Sequence, residues 1–131
     1  RLVLPEDASR FEYTTIHFGA ALGLAAAIEE LVEIGMEEVW RHDLELVDSL
    51  VRGISGMEVE ISSPLSEEER SAIVSLRLPS GNSSVDVADR LQSEYSILVT
   101  SRSGLLRVSP HIDNSLEDIE SLVSALGEIL S

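Results

Sequence analysis

Neither cysteine nor lysine occurs in this chain of 131 residues. The first absence excludes a disulfide framework, a thiolate nucleophile and a sulfur-ligated metal, and suits a cytoplasmic setting. The second excludes a Schiff base formed within the chain, because all nine basic residues are arginine. A basic face is missing too. With a net charge of −15 and its arginines scattered, the chain lacks the concentrated cations that phosphate backbones require, which argues against nucleic acid. No apolar run approaches the ~20 residues of a membrane-spanning helix. The opening "RLVLPEDASR" has neither an initiator Met nor the charged start, apolar centre and small-residue cleavage site of a secretory signal, so the chain reads as a piece cut from something longer. No GxSxG elbow accompanies its many serines.

What is present describes one globular domain. Hydrophobic residues make up 44% and charged residues 25%, and a chain of this length buries roughly two thirds of its unfolded surface. From about Ile16 to Ile34, Leu24, Ile28, Leu31 and Val32 recur at helical spacing among alanines, which predicts a long helix. Gly35 interrupts it. A second helix follows with Met36, Trp40, Leu44, Val47 and Val51 as its apolar stripe, ended by Gly53 and Gly56. Alternation predicts strands over Met57–Ser62 and Ser71–Leu78, with a capped turn at Ser66–Glu69 between them. Val85, Ala88, Leu91 and Tyr95 define a third helix, started by Ser83 and Asp86. "SILVT" and "LLRVS" around "SRSG" predict a hairpin, and Ser115 with Asp118 starts the last helix. The order α, α, β, β, α, β, β, α implies an α+β fold: an antiparallel sheet of about four strands covered by helices on one face.

The strand "LLRVS" carries the most informative charge. Period-two alternation puts Leu106 and Val108 on one face and Leu105, Arg107 and Ser109 on the other. If the first pair faces the core, Arg107 points outward, either as an ordinary solvated arginine or as a planar guanidinium fork suited to a carboxylate. The spacing leaves both open. His111 follows Pro110 with no second ligand at metal spacing, so it reads as a surface or hydrogen-bonding histidine. His42 reads as solvated among helix-face charges, and His17 sits at a helix entrance. "EELVEIGMEEV" reads as a wet helix face. "NSS" at Asn82 matches a glycosylation acceptor, a chance match without a secretory signal.

Taken together, "RFEYTT" from Arg10, the long helix behind it, "SAIVSLRLP", "ILVTSRSGLLRVSPH" and "NSLEDIESLVSAL" resemble the C-terminal part of class V aminotransferases. That pyridoxal-phosphate group of fold type I also includes cysteine desulfurases, kynureninase and isopenicillin-N-epimerase-like proteins. The resemblance covers almost everything after about Ser9. It implies that Arg107 grips the α-carboxylate of an amino-acid substrate over the cofactor. It implies that Thr15 reaches the cofactor phosphate of the neighbouring subunit in a homodimer, although the family's Gly before it is Thr14 here and the Pro after it is Ile16. Arg102 matches a family arginine ahead of the carboxylate-binding strand, and Asn114 and Ser115 match polar residues that cap the last helix. Residues 1–34 would be an interdomain segment with its long helix, and residues 35–131 the small C-terminal domain. The cofactor lysine would belong to a large upstream domain, so this chain would not be catalytic alone. Cysteine desulfurases carry their nucleophile in a loop between the strands that "SRSG" joins here, and this loop is short and Cys-free. The rival reading is a free-standing, non-catalytic α/β module that binds an amino acid or a protein partner.

Zero lysine with a heavy acid excess fits either halophilic adaptation or a coding bias against Lys codons. The halophilic account expects the melting temperature to climb between low and molar salt, whereas a fold indifferent to molar salt contradicts it.

Overall fold

Helix α1, Phe18–Ile34, forms where alanine dominates the sequence and no proline or β-branched run opposes it. The computed structural model that shows it describes residues 6–11 and 17–131. His17 caps α1, its Nδ1 accepting from the Ala20 N–H at 3.0 Å, which gives this histidine a local structural task. At the other end Gly35 adopts φ 93°, a value open to glycine, and its N–H donates to the Leu31 carbonyl at 3.0 Å. A 3-10 turn, Ala8–Phe11, precedes α1. The chain divides into two compact units, Arg1–Met36 and Glu37–Ser131.

The second unit holds α2 (Met36–Gly53) from Glu37 onward, α3 (Ser84–Tyr95), α4 (Leu116–Leu130) and four strands: β1 (Glu60–Ile61), β2 (Val74–Arg77), β3 (Thr100–Arg102) and β4 (Leu105–Val108). The sheet is antiparallel throughout, in the order β1-β2-β4-β3. This is the α+β architecture that the sequence implies. Val74 and Leu76 of β2 and Leu106 and Val108 of β4 are buried against the helices, whose Leu46, Leu50, Leu91 and Leu126 are fully buried in the same cluster. Each such leucine contributes about 1.5–3 kcal/mol on leaving water. Gly53 ends α2 where a Cβ would lie 2.7 Å from Val123 Cγ2, so α2 and α4 touch there too closely for a larger residue.

Two expectations need correction. The core-facing stripe of α2 is Val39, Asp43, Leu46, Val47 and Leu50, not the row through Met36, Trp40, Leu44, Val47 and Val51. Met36 and Trp40 are exposed. A helix with two apolar rows can bury either, and the buried row here was concealed by Asp43, which interrupts it with a charge although it is itself only 5% exposed. The strands are also shorter than the alternation suggests, and "SILVT" contributes only Thr100 to β3. The cause is the end of α3. Ser96 turns into the left-handed region, φ 60°, its N–H donating to the Gln92 carbonyl, and the Ile97 N–H is taken by the Leu91 carbonyl. That cap spends the donors with which Ser96 and Ile97 would have joined a ladder.

Among the described residues no helix is long and apolar enough to cross a membrane. Helix α1 buries none of its residues, and Phe18, Leu22, Leu24, Ile28 and Val32 are each more than half exposed. An apolar surface of this extent drives association in water. The isolated chain should therefore show a weight-average mass in light scattering that rises with concentration; a strict monomer at high concentration contradicts this.

Candidate functional site

The outward face of the sheet is built from the residues that alternate with the core. In β4, Leu106 and Val108 are 0% and 4% exposed, so Leu105 and Arg107 between and before them take the opposite face. In β3, Ser101 faces inward, its Oγ 2.8 Å from Oγ of the buried Ser84 in α3, which sends Thr100 and Arg102 outward. In β2 the same logic sends Ser75 and Arg77 outward.

Register then decides the neighbours. Strand β4 is central, and Arg107 is paired with Ser75 on β2 and Thr100 on β3, a hydroxyl residue on either side. Pairing of β3 with β4 is fixed by a two-residue hairpin in which Ser103 and Gly104 both have positive φ, 53° and 79°, the type I′ geometry whose twist matches the strands. The hairpin expected at "SRSG" is thus present. Arg107 is half-buried, and among the described residues no carboxylate reaches it. A planar cation held this way, on a central strand and flanked by hydroxyls, is equipped to take an anion bidentately. Arg102 is exposed and also has no carboxylate among the described residues, whereas Arg77 Nε lies 3.3 Å from Glu60.

Beyond β4 the chain is held by a polar turn. The His111 N–H donates to Asn114 Oδ1 at 3.1 Å and the Asn114 N–H returns to the His111 carbonyl at 2.8 Å. The His111 side chain itself is exposed. His42, which the sequence places among solvated charges, is half-buried instead, and its Nε2 lies 2.9 Å from the Asn114 carbonyl and donates to it. The partner is 72 residues away, so no local pattern announces it. Helix α4 then starts with a complete capping box: the Asp118 N–H donates to Ser115 Oγ at 3.2 Å, and the Ser115 N–H to Asp118 Oδ2 at 2.8 Å. That backbone N–H of Ser115, more than any other group, lowers the Asp118 carboxyl below its ordinary value. Asn114 and Ser115 therefore divide the capping between the turn and the helix.

Because the Ser96–Val99 segment does not join β4, a cleft of about 370 Å³ opens between Ile97–Val99 and Val108–Pro110, lined also by Asp118 and Leu122 of α4. Arg107 does not line it. Among the described residues no cluster of His, Asp and Glu could hold a metal ion. Thr14, Thr15 and Ile16 lie outside the described residues.

The profile of the class V aminotransferases matches residues 2–122, and the chain belongs to that family. Class V aminotransferases and cysteine desulfurases use pyridoxal phosphate in the full-length protein. A probable cysteine desulfurase of Pyrococcus abyssi is 30% identical over 140 residues, covering 97% of this chain and 34% of that protein. A probable cysteine desulfurase of Mycobacterium leprae is 43% identical over 67 residues, covering 50% of this chain and 16% of that protein. Among solved structures, an apo cysteine desulfurase from Thermococcus onnurineus superposes with a TM-score of 0.83 at 31% identity, over 98% of this chain and 35% of the other. An alanine–glyoxylate aminotransferase from Nostoc shares the fold with a TM-score of 0.71 at 20% identity, over 95% of this chain and 34% of the other. The chain spans about a third of the length of the first of these relatives and of both solved structures.

The lowered pKa of Asp118 has a consequence for stability. A carboxyl whose pKa falls on folding stabilises the fold above its unfolded value, and that contribution is lost as pH drops through the folded value. Asp118→Asn should therefore be less stable than the parent at neutral pH, and the gap between the two should close as pH falls from about 5 to about 2 in urea melts. A gap that stays constant over that range contradicts the assignment.

Proposed function

We propose that this chain is the substrate-carboxylate-binding part of a pyridoxal-phosphate enzyme acting on an amino acid by transamination or a related lyase or epimerase step. Residues 35–131 form its small C-terminal domain, and residues 1–34 are the segment and long helix that lead from a large domain. The chain is not catalytic alone, since it has no lysine to hold the cofactor. The large domain supplies that residue, and two copies of the whole protein pair as a homodimer in the cytoplasm.

One observation carries the reading: Arg107, in a chain with 24 acidic residues, stands half-buried on the open face of the sheet with no carboxylate of its own among the described residues. Its fork donates two parallel N–H bonds to the α-carboxylate, with Ser75 and Thr100 beside it. Fixing one end of the substrate fixes the orientation of the bond to be broken relative to the cofactor ring, which supplies an electron sink when bound. Thr15 contributes its hydroxyl to the cofactor phosphate of the partner subunit.

Sulfur transfer from cysteine is a second reading, favoured by the names of the relatives at 30% and 31% identity. It asks for a thiolate that this chain does not contain, and β3 and β4 are joined by a Ser103–Gly104 turn with no room for a nucleophile-bearing loop.

In the full-length protein, Arg107→Ala should weaken amino-acid binding on the order of 10- to 100-fold, as loss of a charge-assisted bond does, while cofactor uptake stays largely unchanged. Equal loss of both refutes the role given to Arg107.

A further inference from the structure

The arginines of this chain are distributed unevenly over its acids. Arg41 pairs with Glu38 and Glu45, Arg70 with Asp48, Arg77 with Glu60 and Arg90 with Glu94. Arg10 donates to the carbonyls of Glu6 and Asp7. Arg52 sits in the last turn of α2, where the carbonyl end of the helix accounts for a cation. Arg102 and Arg107 have none of these partners among the described residues, and both occupy the same open face of the sheet.

Their separation follows from the register. Thr100 is opposite Arg107 and Arg102 is opposite Leu105, so Arg102 and Arg107 are diagonal neighbours, roughly 7–8 Å apart at the backbone and within mutual reach of their side chains. The half-buried Leu105 lies beside both. Two like charges so placed repel each other. Among the described residues no carboxylate stands between them; the two side chains that share the diagonal are Leu105 and the uncharged Thr100. On the other side of Arg107, Arg77 is already neutralised by Glu60. The pair has the composition of a receptor for two anionic groups joined by a short apolar spacer.

We propose that the open face recognises an amino acid with a second carboxylate on its side chain, Arg107 holding one carboxylate and Arg102 the other. This rests on the reading of Arg107 given above and names the substrate class for it. Arg102 is then a specificity-determining residue: it discriminates the dianion from monoanions and leaves the grip on the common carboxylate to Arg107. Leu105 packs against the methylenes between the two groups.

The test is calorimetric titration of the cofactor-loaded full-length protein with succinate and with butyrate, a dianion and a monoanion of equal chain length. The parent should bind succinate at least about 10-fold more tightly. Arg102→Ala should remove that advantage and leave butyrate affinity where it was, Arg102→Lys should retain part of it, and Arg77→Ala should keep it intact. Arg107→Ala should weaken both ligands. Equal affinities in the parent, or an Arg102→Ala variant that keeps the preference or loses both ligands alike, overturn the inference while the role of Arg107 stands. An Arg107→Ala variant that binds both ligands as the parent does overturns the role of Arg107 and the inference with it.

Discussion

The alternation of strand β4 is the constraint on which the rest of the structure depends. Leu106 and Val108 close the core beneath the sheet, and because successive side chains in a strand point to opposite faces, burying that pair obliges Arg107 to stand on the other side. A slip of one residue would bury the guanidinium and expose both apolar groups, at a cost comparable with the whole stability of a domain this size. The same burial that folds the domain therefore aims its cation. The Ser103–Gly104 turn and the antiparallel pairing with β2 lock the register from either side, so that Ser75 and Thr100 flank Arg107 without further instruction.

Electrostatics give that placement its meaning. On an acidic chain an exposed arginine is ordinarily neutralised by the nearest carboxylate, as Arg41 and Arg90 are along their own helices. Such pairs contribute little to stability, but they do satisfy the cation. Arg107 and Arg102 are kept from this by the sheet: their cross-strand neighbours are serine, threonine and leucine, and the only acid on the strands of that face, Glu60, is engaged by Arg77 two strands away from β3. Both guanidinium groups are therefore left without an anionic partner among the described residues.

Much of this was legible in the chain itself. The four strands, the hairpin at "SRSG", the capping box of Ser115 and Asp118 and the outward direction of Arg107 all follow from local periodicity and turn chemistry, because each is decided within a few residues. What escaped was decided elsewhere. The buried row of α2 is chosen by the helices and sheet that pack on it, and Asp43 disguised that row. The length of β3 is set by the left-handed cap at Ser96, a conformation that a serine gives little sign of adopting. His42 acquires its role from a carbonyl 72 residues distant. The profile match over residues 2–122 then supplied what periodicity could not, which is membership of the class V aminotransferase family.

The central claim, that Arg107 is aimed at a substrate carboxylate, is tested most directly by an experimental structure of the full-length protein with an amino acid bound. The account predicts both guanidinium N–H groups of Arg107 within hydrogen-bonding distance, about 2.7–2.9 Å, of the two oxygens of one carboxylate. A ligand bound with its carboxylate elsewhere, or Arg107 already closed onto a carboxylate of the protein itself, would contradict it.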